Sequence, residues 1–460
     1  MPSKNDILMI FDIDKQTIKD LEIFPNKKDD RSIYSIYNRA STIGGQQALW
    51  DLFTSPVSDL KLLLNRKKEI NFFFENNCTL DLNSRQIDFI ENYLNSRRFP
   101  LRNNIIDATV NGLSNKLIPD GDYYIISEGI FYIIQLIIDF NLFIKEAATY
   151  QIPNTLKEDF DRFNKLVEFK TLQKILNDPP SKTKDLSYAQ INNLDHFFRV
   201  SDKEPIRYWL NTIYKIDVLM TLSLMIKKDG YTLPEYDSGS RPVFDVTDSF
   251  HPALDNPIPN SFSFEHDSGL CFVTGPNMSG KSTFLKTMGL LIYLSHLGLP
   301  VPAKKLRISI FDGIFTTINL ADNLNLGYSH FYSEVKRVKD IALKINSKKN
   351  IVVIFDELFR GTNVKDAFDA SLMIISALSK IRDNFFFIST HILEVAEELG
   401  NNNSITYRCF ESELIDNQPV YDFKIKPGIS KERIGMLIIK NEHIPDILNE
   451  IVDQQKRQSQ

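Results

Sequence analysis

From Ser32 to about residue 230, apolar residues recur at intervals of three and four, the period of a helix with one face turned to a core. Ile33, Ile36, Tyr37 and Ala40 open the pattern. Thr42-Ile43-Gly44-Gly45 reads as a break, and a second helix is expected from Gln46, with Leu49, Trp50, Leu52 and Phe53 apolar. Pro56 closes it, and Ser58 or Asp59 can cap a third helix carrying Leu60, Leu63, Leu64, Ile70, Phe73 and Phe74. Residues 103–108 and 156–176 fit a helix less cleanly, 179–184 reads as a loop, and a long helix over 206–228 places Ile213, Ile216, Met220, Leu224 and Lys227 on one stripe. The period then changes. Asp229-Gly230, Pro234, Gly239 and Pro242 mark a boundary. Beyond it, short apolar runs over 243–246, 270–274, 313–318, 351–355, 385–389 and 420–425 alternate with helical stretches, which predicts an α/β domain with a mostly parallel sheet. A last helix is expected near 444–451, before a frayed polar tail. The expected organisation is a lead segment (1–30), an all-helical domain (31–232), an α/β domain (233–453) and the tail (454–460).

Composition narrows this modestly. The chain has 460 residues, 43% hydrophobic and 25% charged, as expected of well-cored globular domains. A net charge of −5 does not advertise nucleic-acid binding, although a local basic groove can sit on an acidic protein. Cys78, Cys271 and Cys409 are too scattered for a disulfide framework or a zinc site. The polar start, Met1-Pro2-Ser3-Lys4-Asn5-Asp6, lacks the apolar stretch of a secretory signal. The most apolar window, 123–144, contains Glu128, Gln135 and Asp139, so it reads as a buried core helix and no membrane is expected. A cytoplasmic protein is the expectation.

The chemistry concentrates in the α/β half. Gly275-Pro276-Asn277-Met278-Ser279-Gly280-Lys281-Ser282-Thr283 fits G-x-x-x-x-G-K-[ST], the phosphate-binding P-loop. A predicted strand precedes it, and a helix over 284–297 follows, with Leu285, Met288, Leu291, Ile292 and Ser295 on one face. That order turns backbone N–H groups and a helix N-terminus toward phosphate oxygens. Lys281 is expected to reach the β- and γ-phosphates of ATP and Ser282 to hold Mg²⁺. About 75 residues downstream, Ile351-Val352-Val353-Ile354-Phe355 delivers Asp356 and Glu357 to a strand's C-terminal end. Asp356 is expected at the Mg²⁺ and Glu357 as the group that orients or deprotonates the attacking water. A further strand ends in Ser389-Thr390-His391, where His391 can sense the γ-phosphate or play a structural part. Between them, Gly327-Tyr328-Ser329 opens a helix carrying Phe331, Val335, Val338 and Ile341. Its start is either an ordinary cap or an anion site for a nucleotide on another subunit.

These residues resemble the MutS family of DNA mismatch-repair ATPases, which are ABC-type ATPases. Thr274–Thr283 is close to the family's P-loop, with Ser279 where glycine is usual. Asp322, Leu324, Gly327, Ser329 and Phe331 resemble the loop that contacts the nucleotide of the opposite subunit, with His330 in place of a threonine. Asp356-Glu357-Leu358-Phe359-Arg360-Gly361-Thr362-Asn363 resembles the Walker B and D-loop run, and Ser389-Thr390-His391 with Glu394 the family's A-T-H-x-x-E switch. His251-Pro252 and Pro257-Ile258-Pro259-Asn260 resemble the segment that packs on adenine, which implicates Ile258. Upstream, Thr42, Gly45, Leu49, Pro56, Leu63 and Arg66 match the opening of the family's helical core. The resemblance implies a helical core/lever domain followed by an ABC-type ATPase domain, in a chain without the N-terminal mismatch-recognition and connector domains. Phe73-Phe74-Glu75 matches the letters of the family's mismatch reader but falls within a core helix and is set aside.

The implied activity is Mg²⁺-dependent ATP hydrolysis in a homodimer, with Ser329 closing the partner's site. Binding of double-stranded or branched DNA and contact with repair proteins are implied too. Arg97, Arg98 and Arg102 are the candidate phosphate contacts, or simply a solvated basic turn. The alternative expectation is an ATP-driven switch that binds a protein partner and little or no DNA.

Overall fold

The computed structural model describes residues 10–27, 30–97, 99–101, 121–264, 268–318, 330–359, 362–400, 402–415, 418–430 and 443–458. Two compact units emerge: Tyr37–Ser55 with Leu64–Asp229, and Met1–Ile36 with Pro56–Leu63 and Gly230–Gln460.

Among its described residues the first unit has helices and no strand. Its centre is the helix Lys203–Asp229, in which Trp209, Ile213, Ile216, Asp217, Leu222 and Met225 are buried. Neighbours surround this helix, so it has no single apolar stripe. Leu224, placed on the stripe by periodicity, is 45% exposed. The helix Ile43–Phe53 packs closely on it and begins before Gln46. Thr42 caps it, accepting the Gly45 N–H at 2.9 Å, and Asp217 in turn accepts from Thr42 N at 2.9 Å and Thr42 Oγ1 at 2.8 Å. Gly44 and Gly45 are therefore contact residues rather than a break. A Cβ on Gly44 would meet the Tyr214 ring at 2.4 Å, and one on Gly45 would meet Asp217 Oδ2 at 2.4 Å.

The helix Leu60–Asn76 begins after Asp59, whose carboxylate accepts the Lys61 N–H at 2.8 Å. The stretch 156–176 forms two helices, Asn154–Val167 and Lys170–Asn177. The apolar helix Gly121–Ala147 is long enough to cross a membrane by length and composition. Here it is a core helix. Ile130, Ile133, Ile137 and Phe140 are fully buried, Phe140 stacks edge-on with Phe163 at 4.7 Å, and Glu128 accepts from Thr183 Oγ1 at 2.6 Å. Residues 103–108 lie outside the described residues, as do Arg98 and Arg102, and Arg97 is exposed.

The second unit is built on three sheets. Its strands are β1 (Asp12–Ile13), β2 (Glu235–Asp237), β3 (Phe244–Ser249), β4 (Asn260–Ser263), β5 (Leu270–Thr274), β6 (Lys305–Ser309), β7 (Gly313–Thr317), β8 (Ile351–Phe355), β9 (Phe385–Ser389), β10 (Ile405–Cys409), β11 (Ser412–Ile415), β12 (Gln418–Tyr421) and β13 (Lys426–Pro427). The main sheet runs β1-β7-β8-β9-β5-β10-β13, parallel except for β13 at the edge. β5, β7, β8 and β9 are buried at every position, as expected of parallel strands covered on both faces. A second sheet, β2-β6-β3-β4, is mostly antiparallel, and β11-β12 form a hairpin. The helix Lys281–His296 is buried around its circumference, not along one face. Gly289 lets it fit between layers: a Cβ there would meet Leu21 at 2.8 Å and Ile354 of β8 at 3.0 Å.

The N-terminal segment, read from sequence as a lead, is part of this unit. β1 adds a parallel edge strand beside β7, and the helix Lys15–Asp20 follows it. Three carboxylates attach it. Asp20, fully buried, accepts from Thr316 Oγ1 at 2.7 Å and the Ile318 N–H at 2.9 Å. Asp14 pairs with Arg337, and Asp12 with Lys344 at 2.8 Å. Such partners lie some 300 residues away in the chain, and no local pattern announces them. Two further differences concern the C-terminal region. Residues 420–425, read as one strand, end β12 at Tyr421 and then turn, with Phe423 at φ +53°. The last helix runs Ile444–Gln458, through the stretch read as frayed, because Gln, Lys and Arg favour helix even without packing.

Candidate active site

Open parallel sheets bind ligands beyond the carboxyl ends of their strands. Here β9 lies between β8 and β5, so three sequence-distant segments emerge side by side. These are the glycine loop after β5, Asp356-Glu357 after β8, and Thr390-His391 after β9. They border a cavity of about 970 Å³.

Of the residues singled out by sequence, Ile258, Asn277, Met278, Gly280, Lys281, Ser282, Thr283, Glu357 and His391 line that cavity. Gly275, Pro276, Ser279 and Asp356 do not form its wall but lie in the same loop and strand end. Ser329 lies outside the described residues, as does Arg360 of the run after Glu357.

The loop's shape follows from its glycines. Gly275 has φ +143°, and a Cβ there would meet Phe410 O at 2.7 Å and Ser279 Oγ at 3.1 Å. Lys281, 4% exposed, donates to Gly275 O at 2.7 Å and Pro276 O at 2.9 Å, so its ammonium is held inside the loop by the loop's own carbonyls. Ser279 Oγ is buried with no hydrogen-bond partner among the described residues. An unpaired buried hydroxyl beside a buried cation at a helix N-terminus suits an anion with several acceptor oxygens. By this test the loop fits a phosphate chain. Ser282 and Asp356 offer hard oxygen donors of the kind Mg²⁺ takes.

On the opposite wall, Glu357 Oε1 pairs with His391 Nε2. Glu357 lies at φ +58° and Phe359 at φ +62°, a left-handed backbone that side chains rarely adopt away from functional turns. The Asp356 N–H donates to Thr317 O of β7 at 2.9 Å. Such outliers persist only where surrounding bonds over-determine them.

Part of the remaining wall is apolar. Phe250, Leu254, Ile258, Phe410 and Phe423 contribute to the wall. Phe410 and Phe423 both approach Gly280, at 3.8 and 3.5 Å from a Cβ built there. Asn260 anchors the turn that carries Phe423: Nδ2 donates to Phe423 O at 2.9 Å, and Oδ1 accepts the Ile425 N–H at 2.8 Å. Sequence reasoning missed both phenylalanines. Phe410 follows a strand it did not predict, and Phe423 was absorbed into a strand that ends earlier. His251 also lines the cavity, and burial, with Lys286 nearby, pushes its imidazole down to about 4, so it is neutral at pH 7.

Comparison with known proteins agrees with this picture. MutS domain V matches residues 271–459. The DNA mismatch repair protein MutS of Anaplasma phagocytophilum (strain HZ) is 28% identical over 273 residues, covering 58% of this chain and 33% of that protein. MutS of Bacillus licheniformis is 32% identical over 241 residues, 50% of this chain and 27% of its own length. MutS of Lactococcus lactis subsp. cremoris (strain SK11) is 30% identical over 251 residues, 53% and 29% respectively. The chain thus spans a third or less of each of these relatives. Residues 271–459, the stretch that matches MutS domain V, contain most of the glycine loop's strand, the loop itself, both acids and His391.

Proposed function

We propose that this protein binds and hydrolyses ATP with Mg²⁺, as an ABC-type P-loop ATPase of the MutS family, and couples the cycle to DNA. The observation that carries the reading is the meeting of the glycine loop and the Glu357–His391 pair across one cavity whose wall also carries Phe250, Phe410 and Phe423. A nucleotide needs those three surfaces together: a phosphate cradle, a water-activating group and a flat apolar slot for the base.

Each residue then has a task. Backbone N–H groups of 275–283 and the N-terminus of the helix Lys281–His296 receive the phosphates, with Lys281 at the β- and γ-positions. Ser282 and Asp356 hold Mg²⁺, which when bound neutralises charge on the phosphate oxygens. Glu357 takes or orients the proton of the attacking water, and its partner His391 fixes the direction of the carboxylate. Phe410, Phe423 and Ile258 hold the base. The family match supports a homodimer in which Ser329 completes the partner's site, and ATP-driven movement of the helical unit as a lever. The names of the MutS relatives support DNA as the responding ligand.

The test is ATP turnover by the purified protein, alone and with homoduplex, mismatched and branched DNA, across a salt series. Glu357→Ala serves as the hydrolysis-deficient control, expected to lower turnover by about 10²–10⁴-fold while still binding ATP. The expected result is turnover that DNA changes, by an effect that fades as salt rises, because phosphate contacts release counterions. Turnover that needs Glu357 but ignores every DNA would transfer the assignment to an ATP-driven switch with a protein partner.

A further inference from the structure

We infer that Ser389 is a positioning residue whose single hydroxyl sets the direction of both acids at the end of β8, an inference that rests on the nucleotide reading above. Ser389 is the last residue of β9 and fully buried. Its Oγ–H donates to Asp356 Oδ1 at 2.5 Å, and the same oxygen accepts the Glu357 N–H at 3.0 Å. Its backbone carbonyl accepts the Leu358 N–H at 3.3 Å. One residue of β9 therefore binds three consecutive residues that follow β8.

Two features of the acids call for this tether. Asp356 and Glu357 stand where the strand pairing of β8 has ended, since the last paired residue is Phe355, opposite Ile388. Glu357 moreover holds a left-handed backbone at φ +58°, which an isolated glutamate would leave. The Ser389 oxygen secures its amide in that conformation, which turns the Glu357 side chain to the cavity and to His391. The bond to Oδ1 stops the Asp356 carboxylate from rotating. His391 follows Ser389 by two residues, so acids and histidine form one hydrogen-bonded unit across β8 and β9. A carboxylate that holds a metal is weakened when the group orienting it is lost. Ser389 acts in that way on Asp356, without itself touching nucleotide or metal.

The experiment compares Ser389→Ala and Ser389→Thr with wild type. It measures binding of N-methylanthraniloyl-ATP in EDTA and over a Mg²⁺ titration, together with thermal melting. Ser389→Ala is expected to bind the nucleotide normally in EDTA and to need roughly 10-fold more Mg²⁺ for the Mg²⁺-dependent gain in affinity. Ser389→Thr keeps the hydroxyl on a side chain that strands accept, and is expected to restore the wild-type Mg²⁺ midpoint. A wild-type Mg²⁺ midpoint in Ser389→Ala overturns the inference. So does loss of EDTA binding and melting temperature in both variants alike, which reports a role in folding only. A wild-type protein that fails to bind the probe overturns the nucleotide reading itself, and that result appears before any substitution is made.

Discussion

Lys281 shows how a charge is accommodated in this site. Its side chain is 4% exposed, yet two loop carbonyls accept from the ammonium, so the charge is hydrogen-bonded rather than stranded. The same crowding makes Gly275 irreplaceable. Alanine there would need a φ of +143° and would press its Cβ against Phe410 O at 2.7 Å. Gly275→Ala is expected to lower nucleotide affinity at least 10-fold while leaving the helical unit folded, as read by fluorescent-nucleotide titration and circular dichroism. Phe423 tests the aromatic part of the wall beside that loop. Base stacking on an aromatic ring contributes roughly 1–3 kcal/mol, so Phe423→Ala is expected to raise the KM for ATP by about 5- to 150-fold with little change in kcat. An equal fall in kcat would place Phe423 in the chemistry instead.

At the scale of elements, the seven-stranded sheet depends on a segment far from it in sequence. β1 and the helix Lys15–Asp20 close one edge, and Asp20 accepts from both Thr316 Oγ1 and the Ile318 N–H. Removing that carboxylate leaves two buried donors unpaired. Asp20→Ala is therefore expected to destabilise the α/β unit by roughly 2–4 kcal/mol, seen as a lower urea midpoint. An unchanged midpoint would mean that water replaces the carboxylate. Local pattern located most helices of the first unit and the strands that became β5, β7, β8 and β9, because apolar period is a local property. It misjudged Gly44-Gly45, since closeness to Tyr214 and Asp217 is a tertiary fact. It also missed the short strands β1, β2, β4 and β13, whose two to four residues carry too little period to detect.

At the scale of the whole molecule, two buried histidines link stability to pH. His296 is fully buried: its Nδ1–H donates to Ile292 O at 2.8 Å, and its Nε2 accepts the Phe311 N–H at 2.9 Å. With both nitrogens engaged in the neutral form, burial holds its pKa at about 4, against 6.5 when exposed. His251 is depressed to about 4 as well. Below pH 6.5 the unfolded chain binds protons that the folded protein refuses, so stability falls as pH drops toward 4. At pH 5 the loss is roughly 2 kcal/mol per histidine, and it vanishes above pH 7.5. Urea denaturation at pH 7.5 and 5.0 checks this, and His296→Gln is expected to flatten part of the decline.

What the linear chain determined by itself is the chemistry on offer. Gly275 to Thr283, Asp356-Glu357 and Ser389-Thr390-His391 are contiguous motifs whose spacing states a phosphate loop, two acids and a histidine, each at a strand's end. Their meeting was decided by strand order, since β9 inserts between β8 and β5, an arrangement that hydrogen bonding across the sheet selects and no local period encodes. The same holds for Phe410 and Phe423 at the cavity, for Ser389 bridging Asp356 to Glu357, and for Asp20 at the sheet's edge. Each depends on a partner distant in sequence, and only the packed fold brings such partners within hydrogen-bonding or van der Waals reach.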